Sequence, residues 1–137
     1  MTTTRATEVP SEGEGDLAPS LGELLLKSTA TLRERVAVQA LVEEERIFTL
    51  DRVRSALISR AGDGTMQCTW DRMVGRLYSL GLNDEERAFL GLVLSIVGPS
   101  QTSLGRVMHL DERRLAIILR AMVRLSGCDT IAVGTRI

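Results

Sequence analysis

Apolar residues along this chain recur mainly at three- and four-residue spacings, the period of one face of an α-helix. Leu21, Leu24 and Leu25 predict a helix that begins near residue 21. Thr31 and Glu34 stand at the spacing of a capping box, in which two side chains satisfy free N–H groups at a helix start, and predict a helix to about Arg46. Its apolar members, among them Val36, Val38, Leu41 and Val42, surround the axis, which fits either burial on several sides or a short strand over residues 36–42. Thr49 or Asp51 begins the next helix, with Leu50, Val53, Leu57 and Ala61 on one face and Gly62-Asp63-Gly64 as its end. Thr69 then caps a helix whose stripe is Trp70, Met73, Val74, Leu77 and Tyr78, and Gly81 before Leu82 stops it. Asn83 caps again, with Glu86 three residues on and acidic residues in the first turn, where they complement the helix dipole. That helix is apolar nearly all round after Ala88 and ends at Gly98-Pro99, so it is expected at the centre of the core.

Residues 103–127, SLGRVMHLDERRLAIILRAMVRLSG, read as two helices joined by a very tight turn. Leu104, Met108, Leu110, Leu115 and Ile118 are apolar where a helix-turn-helix fills its inner face, Gly105 is small where the second helix approaches, and Asp111 can cap that helix. The final stretch, DTIAVGTRI, is β-prone: a frayed end or a strand awaiting an edge. The expected fold class is all-α, a single helical bundle of five to seven helices with a C-terminal helix-turn-helix-like hairpin. Phe89, Val93, Leu94, Leu115, Ile118 and Met122 are expected to be buried together.

Composition supports that class. The chain has 137 residues, enough for one domain with a real core, and 44% of them are apolar. Phe48, Trp70, Tyr78 and Phe89 are its aromatics, so Leu, Val, Ile, Met and Ala must build the interior, a composition that favours helices. Residues 1–19, rich in Thr, Ser, Glu and Gly with Pro10 and Pro19, read as a disordered acidic arm; residues 20–127 form the helical domain and 128–137 a short tail. The polar, acidic start predicts no secretory signal, and the apolar run over 88–97 is too short to span a bilayer, so a cytoplasmic protein without membrane association is expected.

Catalytic chemistry finds little footing. Cys68, Cys128 and the single His109 show no metal-ligand spacing, so no zinc site and no cofactor are expected. His109 has no Ser or Cys neighbour in a nucleophilic arrangement, and Gly62-Asp63-Gly64 lacks the context of a phosphate loop. Glu43-Glu44-Glu45 reads as a solvated helix face. The protein is expected to be non-enzymatic.

Charge is unevenly placed. The formal net charge of −1 argues against strong nonspecific nucleic-acid affinity for the whole chain. Within it, Glu8, Glu12, Glu14, Asp16 and Glu23 make the start acidic, while Arg106, Arg113, Arg114, Arg120 and Arg124 outnumber Asp111 and Glu112 in the C-terminal hairpin. The acidic arm is either a solubilising segment or a mask over that basic face.

Extended backward, the hairpin becomes LNDEERAFLGLVLSIVGPSQTSLGRVMHLDERRLAIILRAMVRL, about a third of the chain. This segment resembles the tetrahelical helix-turn-helix of sigma-factor region 4 and LuxR-type regulators. In that group an acidic, Arg-containing helix start (here Asp84-Glu85-Glu86-Arg87) leads into an apolar scaffold helix, a short linker and a two-helix reader. The resemblance implies that Glu112, Arg113, Ala116, Ile117 and Arg120 face base edges in the major groove, with Thr102, Ser103 and Arg106 at phosphates and Arg114 and Arg124 on the same helix.

Three places depart from the family pattern. His109 stands where the family usually has Gly, which calls for an unusual backbone or a longer turn; Asp111 and Glu112 put negative charge at the groove entry; Ile117 is apolar where a reader is polar. With Leu115, Ile118, Leu119, Met122 and Val123, Ile117 makes the second helix nearly all-round apolar, a helix that wants burial on two sides. Two functions are therefore expected: a small, dimeric DNA-binding regulator, or a helical protein–protein interaction or oligomerisation adaptor whose apolar C-terminal helix is the contact surface. The expected partner is DNA or another protein, and a homo-oligomer is expected in either case.

Overall fold

The computed structural model describes residues 20–98, 101–134 and 136; the acidic arm expected over 1–19 and Pro99 of the predicted helix stop lie outside them. The fold is all-α, with one small hairpin added. α1 spans Leu21–Lys27 and starts in a complete capping box between Ser20 and Glu23. α2 spans Leu32–Glu44; Thr31 accepts from the Glu34 N–H, while the Glu34 carboxylate reaches back to the Ala30 N–H at 3.0 Å. The strand alternative for residues 36–42 is thereby removed. Val36, Ala37, Val38, Ala40 and Leu41 are all buried, as a helix enclosed on several sides requires.

After a 3₁₀ turn at Ile47–Thr49, α3 spans Asp51–Leu57, four residues short of the expected Ala61. The chain instead enters β1, Ile58–Arg60, which pairs antiparallel with β2, Met66–Cys68, in the register Ile58–Cys68, Ser59–Gln67, Arg60–Met66. Gly62-Asp63-Gly64 turns this hairpin rather than ending a helix. Asp63 accepts from the Thr65 N–H at 3.0 Å, and Gly64 takes φ +90°, a left-handed value at which a side chain is strained. Thr69 also departs from its expected role. Its hydroxyl reaches the Ala56 and Leu57 carbonyls at 3.0 and 2.9 Å, where α3 leaves carbonyls free, and no side chain caps α4, Trp70–Val74.

α4 is one turn and a half, followed by a 3₁₀ turn at Leu77–Ser79. Trp70, Met73 and Leu77 of the expected stripe are buried, but Tyr78 is 68% exposed. α5, Asp84–Val97, carries the predicted Asn83–Glu86 capping box and ends at Gly98 with φ +114°. Phe89, Leu90, Val93 and Leu94 are fully enclosed, and α5 packs on α2, α4 and the chain beyond it. It is the central helix. A six-residue 3₁₀ helix, Leu104–His109, then leads to α6, Glu112–Ser126, which lies chiefly along α2. The described part of the tail forms no strand.

Candidate functional site

The C-terminal hairpin has the expected connection but a different first arm. Its leading element is the 3₁₀ helix, none of whose residues is buried; Leu104 is 70% and Met108 85% exposed. Val107 packs against the core in their place, and Leu110 packs there as expected. Leu110 links the two helices with φ −86° and ψ 139°, ordinary extended backbone, so the glycine that the resemblance asked for at His109 is unnecessary. Asp111 caps α6 as predicted, accepting from the Arg114 N–H at 3.0 Å.

α6 is rotated from the expected register. Arg114, Ile117, Ile118 and Ala121 face inward and are buried, whereas Leu115 is half-buried and Met122 is 48% exposed. A buried polar anchor explains the rotation. Glu44, the last residue of α2, has no exposed surface, and its Oε2 accepts from Arg114 Nη2 at 2.9 Å and Nε at 3.1 Å. Its Oε1 accepts from the Ile47 N–H at 2.7 Å, so both carboxylate oxygens are satisfied, as burial of a charge demands. Arg114 also meets Asp111 at 3.2 Å and Glu85 at 3.6 Å.

The neighbouring arginines complete the same attachment. Arg113 donates to the main-chain carbonyls of Glu44 and Glu43 at 2.9 and 3.3 Å, which are among the carbonyls a helix leaves free at its end. Arg120 and Arg124 reach Glu43 at 3.2 and 2.8 Å. Beyond Glu44 the chain reverses in a γ-turn, with Glu45 at φ 74° and the Arg46 N–H on the Glu44 carbonyl at 2.9 Å, a rare and strained conformation. The run Glu43-Glu44-Glu45 is thus the seat of α6 and a turn, not a solvated face. Its sequence signal was the matching stripe Arg113, Arg120, Arg124, at i, i+7 and i+11.

The residues assigned to base edges and phosphates do not share one open surface. Arg113, Arg114, Arg120 and Arg124 turn toward α2, Ile117 is 1% exposed, and Ala116 is half-buried. Ser103 caps the 3₁₀ helix by accepting from the Gly105 N–H at 3.1 Å, the Thr102 hydroxyl is buried without a partner, and Arg106 lies against Tyr78. What α6 presents outward is apolar. Leu115, Leu119 and Met122, with Ala116 and Val123 beside them, line the face opposite Ile117 and Ala121, and Leu119 is 40% exposed.

Burial pushes the Cys68 thiol up to about 12, while the hydrogen bond between Cys128 and Thr130 holds the Cys128 thiol below its ordinary value. Among the described residues no group of three or more His, Cys, Asp or Glu could hold a metal ion, and no helix is long and apolar enough to cross a membrane. The chain matches no protein-family model, no curated protein and no solved structure.

Proposed function

We propose that this protein is a non-enzymatic helical adaptor that pairs with a second copy of itself through the outer face of α6. The carrying observation is that α6 has both an occupied flank and an unoccupied one. Its arginines are engaged by Glu43 and Glu44, while Leu119 and Met122 face solvent on the other side.

The order of residues on that face favours a second copy. An antiparallel two-fold pairing centred on Leu119 sets Leu115 opposite Val123 and Ala116 opposite Met122. A small residue then meets a large one, and the polar pair Glu112 and Ser126 falls at the rims. Such a patch is self-complementary, the requirement for a closed dimer interface. Reading DNA would instead require Arg113 and Arg120 to leave the acids and carbonyls that hold them.

Analytical ultracentrifugation of the full chain tests this. A monomer–dimer equilibrium is expected, with Leu119→Glu and Met122→Glu shifting it to monomer at unchanged helical circular dichroism. Leu32→Glu, on an exposed residue of another helix, should leave the equilibrium alone. A chain that stays monomeric at every reachable concentration refutes the proposal.

A further inference from the structure

A second surface is independent of that face. Between the N-terminal half of α5, the 3₁₀ turn Leu77–Ser79 and the 3₁₀ helix Leu104–His109 lies a crevice of about 430 Å³, within the size range of small-molecule sites. Its walls bring together Tyr78, Asp84, Arg87, Ser103, Arg106 and His109. Two guanidinium groups flank one phenol: Arg87 lies 5.2 Å and Arg106 6.0 Å from the Tyr78 ring centroid, and Arg106 Nη2 donates to the Tyr78 hydroxyl at 2.7 Å.

These arginines differ from those of α6. Among the described residues Arg106 has no carboxylate within ion-pair distance, so its charge is balanced by nothing but the ring and the phenol oxygen. Arg87 shares Asp84 at 3.1 Å and the Leu82 carbonyl at 2.9 Å, yet its Nε–H is buried with no acceptor. The Ser103 oxygen accepts from the Gly105 N–H, which leaves the hydroxyl proton free to donate. Two guanidinium groups and a hydroxyl donor therefore line one crevice whose lining holds a single carboxylate, Asp84.

We infer that this crevice binds a phosphate monoester dianion, with Arg106 and Arg87 as its cationic partners and Ser103 as a neutral donor. Planar guanidinium forks match phosphate oxygens, and Tyr78 holds Arg106 pre-aligned for them. Asp84 is the opposing charge. Its side chain is 82% exposed, so it swings to solvent when the phosphate takes its place on Arg87.

NMR titration of the full chain with inorganic phosphate and with ribose 5-phosphate, against sodium chloride at matched ionic strength, tests the site. Saturable shifts are expected at Tyr78, Arg87 and residues 103–109. Arg106→Gln should weaken binding roughly tenfold, the loss of a charge-assisted contact. Tyr78→Phe should weaken it less, Asp84→Asn should tighten it, and Arg60→Gln, an exposed arginine on β1, should change nothing. Shifts that fail to saturate, or that Arg60→Gln reduces as much as Arg106→Gln, overturn the inference. So does saturation by a short DNA duplex that neither phosphate compound displaces, which would assign the crevice to a diester backbone.

Discussion

Arg114 of α6 and Glu44 of α2 meet at 2.9 Å, with 5% and 0% of their side-chain surfaces exposed. Seventy residues apart in sequence, they join the C-terminal helix to the end of the helix that forms its floor. The pair is complete: Glu44 also takes the Ile47 N–H, and Arg114 also takes Asp111. A satisfied buried pair adds little net stability over an apolar one, but half of one is costly, because the remaining charge has no solvent.

Removing the arginine should therefore be severe. Arg114→Ala is expected to cost about 3–5 kcal/mol in urea unfolding, the range for breaking a buried ion pair. Adding Glu44→Gln should recover part of that loss, since the stranded charge disappears while the Ile47 N–H keeps an acceptor. A loss under about 1 kcal/mol for the single variant would show that Arg113, 3.5 Å from the Glu44 carboxylate, takes over its charge.

The register of α6 makes a contrast between two neighbouring apolar residues. Ile118 is buried and Met122 is half exposed. Ile118→Ala should destabilise the monomer by about 2–5 kcal/mol, whereas Met122→Ala should fall within about 0.5 kcal/mol at concentrations where the chain is monomeric. Equal losses would mean that the helix is turned to bury both.

The β hairpin gives a similar contrast between two glycines that each have open space around them. Gly64 has φ +90° and Gly62 does not take a left-handed value. Gly64→Ala should cost about 1 kcal/mol or more through backbone strain alone, while Gly62→Ala should be neutral or stabilising by up to about 1 kcal/mol through the unfolded chain. The comparison needs only thermal melts of the two variants, and the reverse order would place the turn elsewhere.

Local signals were legible in the sequence wherever one residue decides an end. The caps at Asn83 and Asp111 and the stop at Gly98 stand where composition and spacing put them, because each satisfies a backbone group within a few residues. The hairpin was not legible. Each strand has three residues, too few to display alternation, and Gly62-Asp63-Gly64 serves equally as a helix stop or a turn. The facing of α6 was illegible for another reason. Leu115, Ile117, Ile118, Leu119 and Met122 allow several apolar stripes, and a distant carboxylate, Glu44, selects among them. An acidic triplet looks solvated until the helix that covers it is known.

Glu43 decides between the two roles open to the arginines beside it. It holds Arg124 at 2.8 Å and Arg120 at 3.2 Å, with its side chain 20% exposed. If these ion pairs seat α6, Arg124→Gln and Glu43→Gln should each cost about 0.2–1 kcal/mol and be non-additive together, and the coupling should shrink as salt rises. Duplex binding should then be no stronger in Glu43→Gln than in the natural chain. Were the same arginines to read DNA, Glu43 would compete with phosphate, and its removal would strengthen binding, with a salt slope steeper by about 0.9 for each additional phosphate neutralised. Fluorescence anisotropy of a labelled duplex across a salt series separates the outcomes. Tighter, steeper binding by Glu43→Gln would return α6 to the nucleic-acid role that its sequence resembles.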